Sequence, residues 1–242
     1  MPEAKLKPQE KPKTISYKYH FQLPGGEKTF TILLEEGSLK LMAPPRDSYP
    51  EWTQLAHKKC TNCPLSEGEH PRCPAATSIV DVIETFVNSV SHEDVLIRVE
   101  TADRDYVKRV PLQKAISGLI GLLMVASGCP ILARLRPLIR HHLPFANLEE
   151  TQFRILSMYL MAQFLRDRHG LSTDWKLQEL GSLYKQIETV NECFISRLLS
   201  VTKGDASLNA MVILGAFTQA VSWSVQGQML DDLELMFKTY LE

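Results

Sequence analysis

The fold is decided by ISYKYHFQLPGGEKTFTILLEE, residues 15–36, which has the pattern of a β-hairpin. Two runs of β-branched and aromatic residues flank the turn signal Pro24-Gly25-Gly26. In the first run Tyr17, Tyr19 and Phe21 alternate with polar residues, so their rings share one face of a strand. A sheet with such a face must pack against a second layer, which the rest of the chain has to supply.

Three further runs predict strands. SLKLM, residues 38–42, indicates a short third strand before Pro44-Pro45. DVLIRVETA and DYVKRV indicate a second hairpin, with the turn around Asp103-Arg104-Asp105. We therefore expect four or five antiparallel strands in two hairpins.

The remaining apolar patterns are helical. Residues 77–90 have apolar residues at helical spacing, and from Pro111 onward the pattern is helical to the end of the chain. Pro111 suits the first turn of a helix that reaches about Gly128, and Asn147 with Glu150 makes an amino-terminal cap.

Two amphipathic stretches complete the helical half. Residues 175–201 form one long helix, and residues 208–241 form one or two more. Trp175, Trp223 and Met229 fall at apolar positions and are expected in the core.

The predicted class is α+β: a small antiparallel N-terminal sheet with a metal loop packs on a C-terminal helical domain. Residues 1–14 are expected to be a disordered tail. Residues 15–110 form a β-rich region that contains the cysteine metal loop, residues 57–74, and one helix. Residues 111–242 form an all-helical domain.

Composition limits the function classes. The 242 residues are 44% hydrophobic and 23% charged with a net charge of -1, which excludes disorder throughout and gives no strong field toward nucleic acid. The Lys- and Pro-rich amino end has no apolar signal segment, and the five cysteines are not spaced as a disulfide framework. We expect a cytoplasmic protein that does not bind nucleic acid.

AISGLIGLLMVASGCPILA, residues 115–133, is an uncharged run about as long as a bilayer span, which needs ~20 residues. The Gly128-Cys129-Pro130 break would end a helix too early for a span. A buried core helix is favoured over a membrane helix.

The strongest chemical signal is HKKCTNCPLSEGEHPRCPAA, residues 57–76, which contains Cys60, Cys63 and Cys73. Two cysteine thiolates three positions apart can bind one metal ion. A third cysteine within ten residues makes a chance grouping of cysteines a weaker explanation. Two metals fit: zinc on these three cysteines with His70 or Cys129, or an iron–sulfur cluster on the three with Cys129.

Zinc is the preferred interpretation, because the loop is polar and a cluster usually has more apolar cover. Proline follows Cys63, Cys73 and Cys129, which occurs in both cluster loops and zinc loops. Free thiols or a Cys-x2-Cys redox pair remain alternatives. Cys193, within an amphipathic helix, is interpreted as a small buried apolar residue.

Cys129 also begins a basic stretch, SGCPILARLRPLIRHHLPF, residues 127–145. A thiol at a helix start has a lowered pKa and can act as a nucleophile. Arg136, Arg140 and His141 on one face would bind a carboxylate or phosphate. The alternative is a solvated helix face kinked by Pro137.

The motifs CxNCPL, CPxA, SGCP and HLPFA together resemble an uncharacterised family of bacterial proteins. The resemblance spans most of the chain and implies that Cys60, Cys63, Cys73 and Cys129 belong to one pattern. It implies no activity.

Familiar enzyme signatures are absent from the sequence, which favours a non-enzymatic module. The first hypothesis is a zinc-stabilised regulatory or assembly module that acts through protein–protein interaction and forms a homo-oligomer. The second is a redox or thiol-dependent enzyme that uses an iron–sulfur cluster or Cys129 with the Arg and His anion-binding segment.

Overall fold

The computed structural model describes residues 13–44, 46–201, 205–224 and 229–242, without the side chains of residues 222–224 and 229–232. The strands are β1 (Thr14–Leu23), β2 (Gly26–Glu35), β3 (Asp94–Glu100) and β4 (Asp105–Pro111). The helices are α1 (Pro74–Ser78), α2 (Val80–Thr85), α3 (Leu112–Ala126), α4 (Arg136–Arg140), α5 (Leu148–Arg168), α6 (Gln178–Leu199), α7 (Asp205–Ser224), α8 (Met229–Met236) and α9 (Lys238–Leu241). Short 3₁₀ helices lie at Glu51–Thr53 and Leu132–Leu135.

The four strands form one antiparallel sheet in the order β2-β1-β3-β4. In β1, Tyr19 lies opposite Phe30 of β2 on one side and Val99 of β3 on the other. The predicted hairpins are therefore both present and adjacent, and the predicted α+β class is confirmed.

The predicted third strand at residues 38–42 is wrong. Within the described chain this segment makes a single bridge, between Leu34 and Leu41. Leu39 has a left-handed backbone with φ 55°, which breaks the extended conformation. The Leu41 N–H then donates to the carbonyl of Ala126 at 2.9 Å, so the segment ties the end of α3 to the sheet edge.

The predicted helix at residues 77–90 is two short helices, α1 and α2, and it begins earlier, at Pro74. The backbone leaves the helical region at Ile79, between them. The Thr77 and Ser78 hydroxyls each donate to carbonyls of the first turn, at Pro74 and Ala75 respectively, both at 2.9 Å. Such side-chain bonds compete with the helical ladder and account for the break.

The uncharged run at residues 115–133 is a buried helix over most of its length, as predicted. Pro111 caps α3 and is not within its first turn. Gly128, with φ +106°, then takes a left-handed conformation that turns the chain away from the helix axis. No helix in the described residues is long and apolar enough to cross a membrane.

The sheet packs its aromatic face on α2 and α3. Phe21 is fully buried, and its ring centroid lies 5.0 Å from that of Phe86 and 5.8 Å from that of Phe30. A Cβ on Gly118 of α3 would lie 3.9 Å from the Tyr19 hydroxyl, so the helix backbone passes close to β1. One hydrophobic cluster continues from the sheet through these helices into α6 and α7.

The predicted cap of α5 is confirmed. The Asn147 side chain accepts from the Glu150 N–H at 2.8 Å, and the Glu150 carboxylate accepts from the Asn147 N–H at 2.8 Å. This reciprocal pair satisfies two of the backbone N–H groups at the start of the helix.

Replacing Asn147 by alanine is expected to lower the free energy of unfolding by about 1 kcal/mol, because it removes the acceptor for the Glu150 N–H. Chemical denaturation of the two proteins measures the difference. Asn147→Asp is the matched control, since aspartate is an equally good cap and should stay close to the parent protein. No loss in Asn147→Ala, or an equal loss in both variants, would show that the cap does not account for the stability of this helix.

Three core predictions need comment. Trp175 is 50% exposed, so its predicted core position is wrong; it lies in the loop before α6 and not on a helix face. The side chains of Trp223 and Met229 lie outside the described residues.

The tail predicted for residues 1–14 also lies outside the described residues up to residue 12, and β1 already begins at Thr14.

Candidate metal centre

Four cysteines from separate parts of the chain line one small cavity of about 20 Å³. They are Cys60 and Cys63 in the loop before α1, Cys73 at the start of α1, and Cys129 after α3. The other side chains around the cavity are all apolar: Pro64, Leu65, Pro74, Ile131, Val190 and Phe194. The cavity therefore lies between the cysteine loop, the exit of α3 and α6.

Backbone hydrogen bonds fix the loop. The Cys73 N–H donates to the Thr53 carbonyl at 2.8 Å, and the Cys63 N–H donates to the Cys60 carbonyl at 3.0 Å, which closes a turn with both thiols on it. The Asn62 side-chain amide, within this turn, donates to the Gln186 carbonyl of α6 at 2.9 Å. The loop is thus attached to the 3₁₀ segment on one side and to α6 on the other.

Cys129 reaches the cavity because of the turn at Gly128. A Cβ at Gly128 would lie 3.8 Å from the Cβ of Pro74, so the end of α3 packs directly on the start of α1. The Cys129 N–H donates to the Ser127 hydroxyl at 3.3 Å, which holds the turn. Cys129 thereby joins three cysteines that precede it by more than fifty residues.

Burial raises the pKa values of the Cys60, Cys73 and Cys129 thiols. For Cys129 the N–H groups of Leu132 and Ile131 act in the opposite direction, but the loss of solvation is the larger effect. The expected low pKa of Cys129 is therefore wrong, because the local helix-start geometry is outweighed by tertiary burial.

Cys193 belongs to the same neighbourhood without lining the cavity. It lies half-buried on α6, and its thiol interacts with that of Cys60. It was predicted as a small buried apolar residue, and its position beside another cysteine was not predicted.

Arg197 is the most buried charged residue near the cysteines, at 1% exposure. Its guanidinium donates to three backbone carbonyls, those of Trp52, Gln54 at 2.9 Å and Lys58 at 3.4 Å. Its Nε is buried without a hydrogen-bond partner. Across the described ranges no carboxylate forms an ion pair with it. Burial lowers the pKa of the Arg197 guanidinium, and its electrostatic interactions with Cys73, Cys60, Cys193 and Cys63 act in the opposite direction.

The other predicted zinc ligand, His70, is not brought to the cavity. It is exposed on the far part of the loop, where its N–H donates to the Ser66 carbonyl at 2.9 Å. Among the residues that the structure describes, no group of three or more His, Cys, Asp or Glu side chains is arranged to hold a metal ion. The polar character of the loop, which favoured zinc, also does not extend to the cavity, whose walls are apolar.

The predicted anion-binding residues are only partly assembled. Arg140 and His141 line a second cavity of about 430 Å³ with Arg104 and Tyr106, and Arg140 pairs with Glu36 at 3.4 Å. Arg136 does not line this cavity. Pro137 lies in the first turn of α4 and starts that helix without kinking it. Anion binding by Arg136, Arg140 and His141 stays a prediction.

A partly buried polar pair beneath the sheet was not predicted at all. The Tyr19 hydroxyl hydrogen-bonds to Nε2 of His142, and burial lowers the pKa of His142 to about 3. The positive charge of Arg154 acts in the same direction. The imidazole ring is neutral at ordinary pH, so its Nε2 can accept a hydrogen bond from the Tyr19 hydroxyl.

This pair predicts an acid-sensitive stability. In the unfolded chain His142 takes up a proton near pH 6.5, whereas in the folded protein it does so only at about pH 3. The neutral His142 therefore makes its full contribution to the free energy of unfolding above about pH 6.5, and this contribution is lost as the pH falls toward 3. Between pH 7 and pH 5 the free energy of unfolding should decrease by up to about 2 kcal/mol. His142→Gln keeps an acceptor for Tyr19 but does not titrate, so denaturation at both pH values should show a smaller loss in this variant. Identical pH profiles for the two proteins would contradict the prediction.

Together the fold and the cavity define an α+β protein with a cluster of cysteines enclosed between a loop and two helices. The chain belongs to the family described as a domain of unknown function, DUF6901, whose model matches residues 15–238. This agrees with the resemblance to an uncharacterised family and says nothing about the cysteine motifs. Searches of curated proteins and of solved structures gave no match.

Proposed function

We propose that this protein binds an iron–sulfur cluster through Cys60, Cys63, Cys73 and Cys129 and transfers single electrons. The observation that carries the proposal is the meeting of these four cysteines, from three separate segments, at one cavity. Cysteine thiolates are the usual ligands of such clusters.

The surroundings of the cavity favour a cluster. Its remaining walls are aliphatic, proline and phenylalanine side chains, which supply the apolar cover that shields a cluster from water. Proline follows Cys63, Cys73 and Cys129, and it restricts the backbone next to each sulfur. In a four-iron cubane cluster each of the four cysteines binds a separate iron, so the sulfurs need not converge on one point.

The ligand set favours electron transfer over catalysis on the metal. With four cysteine ligands every iron of a cubane cluster has a protein ligand, and no open position remains for a substrate. Cys60, Cys63 and Cys129 are half-buried, so a cluster held by them would lie close to the surface, where a redox partner can approach.

Anaerobic purification followed by reconstitution with iron and sulfide tests the proposal. We expect a brown protein that absorbs at roughly 400 nm, loses that absorption on reduction with dithionite, and contains iron and acid-labile sulfide in similar amounts. Colourless protein without iron after reconstitution would overturn the proposal.

A zinc-stabilised interaction module is the second candidate, and the size of the cavity favours it. A volume of about 20 Å³ corresponds to a single small atom, so a cluster would require the loop around Cys60 and Cys63 to move outward. In this case α5 offers a surface for a partner or a second copy, because Phe153, Met161 and Phe164 are 41%, 58% and 49% exposed. About one zinc per chain with no sulfide would support this candidate.

A further inference from the structure

We infer that a cavity between α3, α4, α5 and α7 binds a small organic carboxylate with an apolar body about the size of a benzene ring. This amphipathic cavity has a volume of about 230 Å³, and its lining includes Ser117, Leu138, Arg154 and Phe217, one residue from each helix. It shares no lining residue with the cysteine cavity, so the inference goes beyond the proposed metal centre.

Small residues of α3 leave space for the ligand. Ser117, Gly118 and Gly121 all line the cavity. A Cβ on Gly121 would lie 3.3 Å from the side chain of Leu214, so α7 packs closely on α3 at this point and closes the space on one side. An apolar cavity of about 150 Å³ already holds one benzene molecule. The larger volume of about 230 Å³ therefore holds a ring or a short alkyl body together with its carboxylate.

Most of the cavity wall is apolar. Leucine, isoleucine, valine and phenylalanine side chains form it, among them Leu122, Leu138, Ile213 and Phe217. Binding sites for small molecules typically have such walls, with a few polar groups that fix the orientation of the ligand. The wall favours the apolar body of a ligand, because it removes that body from water.

The charged groups of the cavity are positive. Lys114 and Arg154 line it, and none of the described lining residues is an aspartate or a glutamate. In the described part of the chain neither cation forms an ion pair with a carboxylate. The charge of Glu150 acts on Arg154, but its carboxylate accepts from the Asn147 N–H in the cap of α5. The cavity is therefore complementary in charge to an anion.

Two polar groups at the cavity keep unused hydrogen-bond donors. Arg154 donates through Nη2 to the carbonyls of Leu138 at 2.7 Å and His141 at 3.0 Å. These bonds hold the guanidinium at the cavity and leave Nε and Nη1 without a partner among the described residues. Ser117 is 5% exposed, and its hydroxyl makes no hydrogen bond within the described ranges. A buried hydroxyl without a partner is unfavourable, and a carboxylate oxygen in the cavity would satisfy it.

Isothermal titration calorimetry of the full chain with benzoate and with octanoate tests the inference. Acetate has the carboxylate without the apolar body, and benzyl alcohol has the ring without the charge, so they are the matched ligand controls. Lys114→Gln and Arg154→Gln each remove one cation, and Ala146→Leu fills part of the cavity. Lys108→Gln, on the exposed face of β4, removes one positive charge outside the cavity and is the matched control variant. Circular dichroism verifies the fold of each variant.

We expect one saturable site for benzoate or octanoate, with an affinity at least about 10-fold higher than for acetate or benzyl alcohol. The affinity should fall about 10-fold in each cation variant, the effect of one charge-assisted hydrogen bond, and should fall in Ala146→Leu as well. It should stay unchanged in Lys108→Gln. If Arg154→Gln does not fold, Lys114→Gln and Ala146→Leu decide.

Three results would overturn the inference. They are no saturable binding of either carboxylate, an equal affinity for acetate, and equal affinities in the Lys114, Ala146 and Lys108 variants. Iron content, which tests the metal centre, is a separate measurement, so the two proposals can fail independently.

Discussion

Replacing Cys73 by serine is expected to remove nearly all iron from the reconstituted protein. Cys73 is the most buried of the four cysteines at the cavity, with 7% exposure, and it lies between the loop and α1. A serine hydroxyl does not provide the thiolate that iron requires. The loss should exceed the roughly 10- to 100-fold effect typical of changes outside the ligand shell, and iron analysis with the absorption at roughly 400 nm measures it.

Cys193→Ser is the matched control for this change. Cys193 lies beside Cys60 but does not line the cavity, so its replacement should leave the iron content near that of the parent protein. Circular dichroism of both variants verifies that the fold persists, since the bond from residue 73 to the Thr53 carbonyl uses the backbone N–H. Full iron content in Cys73→Ser, or equal losses in the two variants, would contradict the assignment of the ligands.

The largest loss of stability is expected for Phe21→Ala. Phe21 is fully buried where β1 meets α2, and its ring contacts those of Tyr19, Phe30 and Phe86. Removing it leaves a cavity among aromatic rings that cannot easily close, and the expected decrease in the free energy of unfolding is about 3–5 kcal/mol. Urea denaturation monitored by circular dichroism measures this decrease.

Val107→Ala provides the comparison for a strand residue on the outer face of the sheet. Val107 lies on β4 and is 57% exposed, so its truncation removes little buried surface. The expected change lies within about 0.5 kcal/mol. Similar losses for Phe21→Ala and Val107→Ala would show that the aromatic face does not form the core described above.

The sheet and the cap of α5 could be predicted because their signals are local. Alternation of aromatic and polar residues in β1, and the spacing of Asn147 and Glu150, specify conformation within a few residues. The predicted strand at residues 38–42 was wrong because a contact distant in the sequence determines its conformation. Its alternation is local, but the N–H of Leu41 finds its acceptor on α3, far along the chain.

The candidate site was predictable only as far as its cysteines. Spacing grouped Cys60, Cys63 and Cys73. Cys129 was predicted as the fourth ligand of an iron–sulfur cluster and, for zinc, as an alternative to His70, which the structure places on the exposed part of the loop. Apolar walls of the cavity come from α6 and from residues after α3. The polar sequence of the loop therefore did not indicate the apolar environment of the sulfurs.

Arg197 was missed although its sequence carried a signal. The buried stripe of α6 passes through Val190 and Phe194, and an arginine three positions later falls on the same face. A charge in an apolar stripe is a reason to search for its partner. That partner lies about 140 residues earlier in the chain, beyond the reach of any helical pattern.

The turn at Gly128 has a consequence for how the molecule unfolds. By bringing Cys129 to the loop it allows a bound centre to act as a cross-link between positions about seventy residues apart, on either side of α1, α2, β3, β4 and α3. Such a tether reduces the freedom of the unfolded chain as a disulfide does, and the effect grows with the length of the enclosed segment. Removal of the metal should therefore speed amide hydrogen exchange in β3 and β4, at a distance from the sulfurs, through an opening that involves the whole enclosed segment.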